Sequence, residues 1–386
     1  MQIAKRFVLI GDDDPSITLA LKRQLDGWAK ERGLEILMAA SGRAGLETIE
    51  THGEDIIIVV SDLNMPEIKG SDFLAAAKTK KPGMVSILLI GFSGTQEIAK
   101  AVGAGIFSFV LKPWEPEYLV AELQKAFEFG ESRINNAFYL KKMDEELKWA
   151  GALQKAILKP NLPSSTGVEF KVSYHPVPAL YCGGDYYDVI LLEPERYLLL
   201  TGDVEGHGVK AAFVTGILKA IIYSEYVRAV VGKNFSPGAF LSWLNQRLHY
   251  EFRFASSMLL TLFAGVLALR SGIFRYSNAG HNHPFVLRAG RAIELPVSGS
   301  AIDFSSSMLY TEQTIEVKGS DVLVLFTDGL IEIDCSEGCA PLKPGPILER
   351  IEYGADHHRK LLEAALAESG SVSFSDDVTI VTAKIL

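Results

Sequence analysis

Aspartate stands at one end or the other of apolar run after apolar run in this chain, beside glycine or a second acid. GGDYYD carries Asp185, TGDVEGHG carries Asp203, FTDG carries Asp328 and FSDDVT carries Asp376. Singly, each reads as a turn, since Asp-Gly is ordinary loop chemistry. Four of them flanking apolar strands ask for more. Clustered carboxylates repel one another unless a cation joins them, and oxygen donors without a Cys/His set suit Mg²⁺ or Mn²⁺ rather than zinc. Two such ions, ~3.5–4 Å apart in known two-metal sites, activate a shared water against phosphorus. A second set lies nearer the N-terminus. Asp12, Asp13 and Asp14 follow one run, Asp62 ends another and Lys112 ends a third. Asp14, before Pro15, has the form of a helix N-cap. The other acids suit Mg²⁺, and a lysine beside them neutralises a phosphoryl group.

These residues need elements to bring them together. Residues 1–128 alternate short apolar runs with stretches of helical spacing such as ITLALKRQLDGWAKERG. The runs are FVLI (7–10), EILMAA (35–40), DIIIVVSD (55–62), VSILLIGF (85–92) and IFSFVLK (106–112). Five repeats predict an α/β domain, a doubly wound (βα)5 parallel sheet with its functional groups at the carboxyl ends of the strands. From Glu115 to about Lys159 a near-heptad stripe runs through Leu123, Phe127, Ile134, Leu140, Met143 and Leu147. It predicts a helical linker over 129–163 that pairs two copies as a coiled coil, giving a homodimer. Gly130 and Gly151 are candidate kinks, and PNLPSS (160–165) ends the helix. Residues 164–386 read as an α+β domain. FKVSYHPV, YLLLTGDV, LLTLFAGVLAL, IFRYSNAG, DVLVLFTDG and DDVTIVTAKIL are strands; VKAAFVTGILKAIIYSEYVRAVV and FLSWLNQRLHYEF are helices.

Composition narrows the classes. A chain of 386 residues is too long for one ordinary core, so two domains are expected. The formal net charge is −9 with no Lys/Arg-rich run, which disfavours nucleic acid as a partner. No apolar stretch reaches the length of a membrane span, and the N-terminus does not read as a signal peptide. Three cysteines, Cys182, Cys335 and Cys339, point to a reducing cytoplasm. Cys335 and Cys339 make a poor zinc site and read as loop thiols.

GDDDP, SDLNMP and LKPW resemble the three signatures of response-regulator receiver domains, and the resemblance covers the whole first domain. It implies that Asp62 accepts a phosphoryl group from a histidine kinase. Asp12, Asp13 and Asp62 would hold Mg²⁺ with the backbone carbonyl of Asn64, and Lys112 would contact the phosphate. Phe109 stands where the family has its switch aromatic. Ile90 departs from the pattern, for the family usually places threonine or serine there. Without that hydroxyl the receiver is expected to be phosphorylated but to switch atypically, unless Ser93 substitutes.

In the second domain LQKAIL, PVPALYCGGDYYD, GDVEGHGVKAAF, NAGHNHP, LFTDGLIE and SDDVTIV resemble the metal-dependent protein phosphatase (PPM) family, in its SpoIIE- and RsbU-like branch. The resemblance implies an αββα sandwich with two Mn²⁺ or Mg²⁺ ions between the sheets. Asp185, Asp203, Asp328 and Asp376 would be ligands with the Val204 carbonyl, and Asp203 would bridge. The implied activity is phosphoserine/phosphothreonine hydrolysis without a phosphoenzyme, on a phosphorylated anti-sigma-factor antagonist. A rival reading is a phosphorylation-controlled adaptor whose phosphatase-like domain only binds a partner. A transcription factor would need a DNA-reading element that the chain lacks, and a cyclase reading of GGDYYD leaves the other three acids unexplained. Asp188 and Asp377 are expected to orient ligands or waters. His207 is either a proton donor or structural, His281 and His283 form a structural turn, and Tyr186 and Tyr187 belong to core and rim.

Overall fold

Runs of Val, Ile and Leu too short for a buried helix become strands in the N-terminal part of the chain. The structure, a computed structural model, describes residues 5–53, 55–91, 103, 105–177, 181–230, 234–252, 258–303, 308–333 and 341–386. They divide into two units, Met1–Met143 and Asp144–Leu386.

In the first unit β1 (Arg6–Gly11), α1 (Pro15–Glu31), β2 (Leu34–Ala39), α2 (Gly42–His52), β3 (Ile56–Asp62), α3 (Gly70–Lys80), β4 (Val85–Ile90) and β5 (Ser108–Leu111) follow in order. The strands pair in parallel as β2-β1-β3-β4-β5. Alternation along β1 sends Val8 and Ile10 to one face, with Leu21 and Leu25 of α1, and Phe7 and Leu9 to the other, with Phe73 and Leu74 of α3. Each fully buried side chain of this kind contributes about 1.5–3 kcal/mol relative to exposure. Asp14 caps α1, accepting the Ser16 amide at 2.8 Å, with Pro15 in the first turn. Because all five strands run the same way, Asp12, Asp62 and Lys112 share one edge of the sheet. Ile90 ends β4 fully buried in the core cluster that holds Leu63, Met65 and Phe73.

α4 (Pro116–Leu158) is one unbroken helix of 43 residues. Leu119, Leu123 and Ala126 are fully buried in the first unit's core. Farther along, Phe138, Leu140 and Met143 are 61%, 67% and 60% exposed. The helix runs on through both Gly130 and Gly151. Each is a point of close approach: a Cβ would lie 2.7 Å from the Ile57 Cγ2 at Gly130, and 2.2 Å from the Tyr181 carbonyl oxygen at Gly151. The helix stops at Leu158, just before the proline-rich PNLPSS.

The second unit holds two antiparallel sheets. β6 (Val168–His175), β7 (Asp185–Glu193), β8 (Arg196–Val204), β9 (Leu259–Ala268), β10 (Ile273–Ala279), β11 (Phe285–Arg288), β12 (Arg291–Glu294), β13 (Ile302–Asp303), β14 (Gln313–Glu316), β15 (Val322–Phe326) and β16 (Val378–Ile385) are its strands. One sheet runs β14-β10-β9-β8-β7, with β13 also on β9; the other runs β12-β11-β15-β16-β6. α5 (Val209–Ile221) passes into a π-helical turn, Ile222–Val227, and with α6 (Pro237–Phe252) it covers the first sheet. α7 (Pro344–Arg350) and α8 (His357–Ser369) cover the second. Alternation in β15 shows the layering. Leu323 and Leu325 enter the core shared with the first sheet, while Val322, Val324 and Phe326 pack with Ile347, Leu348 and Leu361 of α7 and α8. The result is a four-layer αββα sandwich.

Candidate functional site

The register of β7 on β8 sets Asp185 directly opposite Asp203. Residues that face each other across antiparallel strands project to the same side, so both carboxylates point between the sheets. Asp185 is 1% exposed, and its Oδ2 accepts the hydroxyls of Thr327 at 2.9 Å and Thr379 at 2.6 Å. Both threonines belong to the opposite sheet, one just after β15 and one in β16. Asp328 follows Thr327 and opens a short 3₁₀ turn, Asp328–Leu330. Asp376 and Asp377 lead into β16, and the Asp376 Oδ1 accepts the Asp377 amide at 2.8 Å. Asp377 accepts the amides of Val177 at 2.9 Å and Gly184 at 3.0 Å, so it holds the Gly-Gly loop in place.

The two glycines are required by proximity. A Cβ at Gly183 would overlap the Asp377 carboxylate at 1.4 Å, and one at Gly184 would meet the Val204 carbonyl at 2.5 Å and Asp203 Oδ1 at 2.6 Å. Gln154, on α4, grips the same loop from behind. Its amide donates to the Gly183 carbonyl at 2.8 Å and accepts the Gly183 N–H at 3.1 Å, and it also donates to the Thr215 hydroxyl at 3.0 Å.

Burial makes these carboxylates reluctant to ionise, and each penalises the next. Burial, then Asp328, Asp376 and Asp377, push Asp203 up to about 8. Burial and the Asp203 charge hold Asp185 well above the carboxylate range, against the two threonine hydroxyls that favour its charge. Burial and Asp376 raise Asp328, and burial raises Asp377. Among the described residues no three His, Cys, Asp or Glu groups stand close enough to form a finished cation cage. The charges of Asp328, Asp376 and Asp377 act on Asp203, and that of Asp203 acts on Asp185; the penalty they impose is what a divalent cation relieves. An oxygen donor set of this kind fits Mg²⁺ or Mn²⁺.

Several neighbours have other work. Asp188, three residues along β7 from Asp185, projects to the opposite face and pairs with Lys219 of α5 at 2.6 Å. His207 is exposed in the turn between β8 and α5, where its charge acts on Asp377. His281 is bracketed by Asn278, whose amide donates to its carbonyl at 2.7 Å and accepts its N–H at 2.8 Å. Its Nδ1 meets the Thr261 hydroxyl at 2.9 Å, and burial lowers the ring to about 4. His283 pairs with Glu294 at 2.7 Å. Tyr186 and Tyr187 are both buried. Cys335 and Cys339 lie outside the described residues, and Cys182 is buried.

In the first unit Lys112 joins the two buried acids. Its Nζ donates to the Asp12 Oδ2 at 2.8 Å and bonds the Asp62 carboxylate. Burial pulls the ammonium down, but Asp12 and Asp62 outweigh it and hold Lys112 above its ordinary value. The Asp62 Oδ2 also accepts the Asn64 amide at 2.8 Å, and the Asp12 Oδ1 accepts that of Asp14 at 3.0 Å. Asp13 is exposed beside them and Phe109 is partly exposed on β5. Ser93 lies outside the described residues.

Comparison with known proteins fits this division. The family model for the response regulator receiver domain matches residues 8–124, and that for Stage II sporulation protein E (SpoIIE) matches residues 193–386, just over half of the chain. The chain belongs to the SpoIIE family. This SpoIIE-family chain is 25% identical over 195 residues to the phosphoserine phosphatase RsbU of Bacillus subtilis, covering 50% of the chain and 55% of that protein. Its first part is 31% identical over 122 residues to the hydrogenase transcriptional regulatory protein HoxA of Cupriavidus necator, 31% of the chain and 24% of that protein. The chain thus spans about a quarter of the length of such regulators. The SiaA-PP2C domain of Pseudomonas aeruginosa shares the fold over 64% of the chain and 99% of that domain, with TM-score 0.51 and 22% identity. Among the described residues no helix is long and apolar enough to cross a membrane.

Proposed function

We propose that this chain is a two-component response regulator whose SpoIIE-type domain hydrolyses phosphoserine or phosphothreonine on a protein. The observation that carries the reading is the pairing of Asp185 with Asp203 across β7 and β8, with Asp203 pushed to about 8 by the acids around it. Two Mn²⁺ or Mg²⁺ ions held by Asp185, Asp203, Asp328, Asp376 and the Val204 carbonyl would supply charge neutralisation and an activated water for attack on a phosphate monoester. The chain's own part is to hold the oxygens. Asp203, nearest in charge to all the others, is suited to bridge. Asp377 and Gln154 fix the loop that delivers Asp185, and His207 is an exposed imidazole that acts on Asp377. Likeness to the phosphoserine phosphatase RsbU supports a phosphoserine substrate, and the resemblance of the motifs to the SpoIIE- and RsbU-like branch is the ground for assigning it to the class of phosphorylated anti-sigma-factor antagonists.

In the receiver, Asp62 takes a phosphoryl group from a histidine kinase. Mg²⁺ there is assigned to Asp12, Asp13, Asp62 and the Asn64 carbonyl, and Lys112 neutralises the bound phosphoryl group. Ile90 offers no hydroxyl to that group, so coupling is expected to be weak or to run through another residue. The exposed stripe of α4 supports a homodimer.

The test is hydrolysis of p-nitrophenyl phosphate by the full chain with Mn²⁺, beside Asp203→Asn. Activity that needs metal and vanishes in the variant is the expected result. A chain that binds its partner equally well with Asp203→Asn, and hydrolyses nothing, would be an adaptor.

A further inference from the structure

The Asp185 carboxylate has one oxygen already fully used. The Thr327 hydroxyl accepts the Thr379 N–H at 2.9 Å, which leaves its single proton for the Asp185 Oδ2 at 2.9 Å. The Thr379 hydroxyl gives its own proton to the same oxygen at 2.6 Å. A carboxylate oxygen has two lone pairs in its plane, so Oδ2 has no direction left for a cation. All three side chains are buried, so water does not compete for these bonds. The donors also come from the sheet opposite to that of Asp185, and two fixed points across the interlayer stop the carboxylate from turning.

We propose that Thr327 and Thr379 are positioning residues that make Asp185 a one-oxygen ligand, through Oδ1 alone, and thereby favour small six-coordinate cations over calcium. This rests on the metal-centre reading above. Mg²⁺ demands near-octahedral geometry and takes carboxylates one oxygen at a time, whereas Ca²⁺ gathers about 6–8 oxygens and often takes a carboxylate by both. Mn²⁺ belongs with the oxygen-preferring octahedral ions. A carboxylate with Oδ2 withheld denies calcium one of the oxygens it needs. The two threonines stand on the segments that carry the other acids, Thr327 directly before Asp328 and Thr379 three residues after Asp376.

The experiment is calorimetric titration of the full chain with Mn²⁺ and with Ca²⁺, using Asp203→Asn as the blank for the receiver site. Thr327→Val and Thr379→Val are expected to weaken Mn²⁺ binding about 10–100-fold, as loss of an orienting partner does elsewhere. Calcium binding should fall less, so that the Mn²⁺/Ca²⁺ ratio narrows. Thr379→Ser, which keeps the hydroxyl, should restore both affinity and ratio. If a valine variant does not fold, Thr379→Cys against Thr379→Ser tests the same point, the thiol being a poor donor. Valine variants with wild-type affinity and ratio would overturn the proposal, as would serine failing as badly as valine. A wild-type chain that binds no more Mn²⁺ than Asp203→Asn would instead overturn the metal-centre reading, and this proposal with it.

Discussion

Asp203 links its own chemistry to the stability of the domain. With no cation present it keeps its proton up to about 8 in the folded chain, against 3.8 as the ordinary value. Between those values the folded state binds more protons than the unfolded one, so this group's contribution to stability falls as pH rises from about 4 to 8. In chelator, Asp203→Asn should therefore gain on wild type across that window, by a Tm difference on the order of ten degrees by pH 8. Saturating Mn²⁺ should reverse the order, because only the wild-type carboxylate can exchange its proton for the ion. Thermal denaturation at pH 5 and pH 8, with and without Mn²⁺, checks both halves. A constant gap between the two chains would mean that Asp203 titrates normally. The acids of this region stood out in the sequence because each sits beside glycine or another acid at the end of an apolar run. Their supports did not. Thr327 and Thr379 bond Asp185 across separations of 142 and 194 residues, and nothing local marks a threonine in a strand as a clamp. Gln154 lies in LQKAIL, a segment singled out for its resemblance, but nothing in that stretch marks its amide as the grip on the Gly183 loop.

At the scale of elements, α4 makes a prediction against helix propensity. Gly→Ala inside a helix normally stabilises by about 0.5–1 kcal/mol. At Gly130 and Gly151 it should destabilise instead, because the new methyl meets Ile57 at 2.7 Å and the Tyr181 carbonyl at 2.2 Å. A side chain can yield more easily than backbone, so Gly151→Ala should cost more than Gly130→Ala, in the range of about 1–3 kcal/mol for overpacking. Chemical denaturation of both variants decides; a rise in stability at either position would refute the contact account. A lone glycine in a helical pattern reads equally as a kink or as a close contact, and only the neighbour distinguishes them. The receiver strands were legible because both faces of a parallel sheet are buried and its strands are nearly continuous apolar runs. In the second unit β7 was not read as a strand. Its DYYDVILLE begins with a turn-like Gly-Gly-Asp and carries a second acid, and the Lys219 partner that allows Asp188 to be buried lies on a helix 31 residues away. The short edge strands β12 to β14 escaped for a simpler reason, being two to four residues long and too brief to show alternation.

For the whole molecule the open question is what covers the middle of α4. Phe138, Leu140 and Met143 are more than half exposed in a single chain, and Ile134 is 39% exposed. Surface apolar residues scattered singly need no explanation, but a row of them on one long helix does. Burying four such side chains from each of two copies, each about half covered already, gains roughly 6–12 kcal/mol at 1.5–3 kcal/mol for a full side chain. Association itself costs about 4–15 kcal/mol. Gain and cost are of the same order, so a homodimer built on this stripe should be reversible and depend on concentration. Sedimentation velocity should show a species of twice the 42.2 kDa chain mass growing in as concentration rises through the micromolar range. Leu140→Glu with Met143→Glu places like charges in the seam and should hold the chain monomeric without lowering its Tm, since neither residue is buried in the single chain. A wild-type chain that stays monomeric at all concentrations would rule out the coiled coil. A dimer that survives both substitutions would move the interface to another surface. An equilibrium so finely balanced is also one that a modest change at Asp62 can tip, so the same run with the receiver phosphorylated by acetyl phosphate, beside Asp62→Asn, reads directly whether the Ile90 receiver transmits a signal to α4.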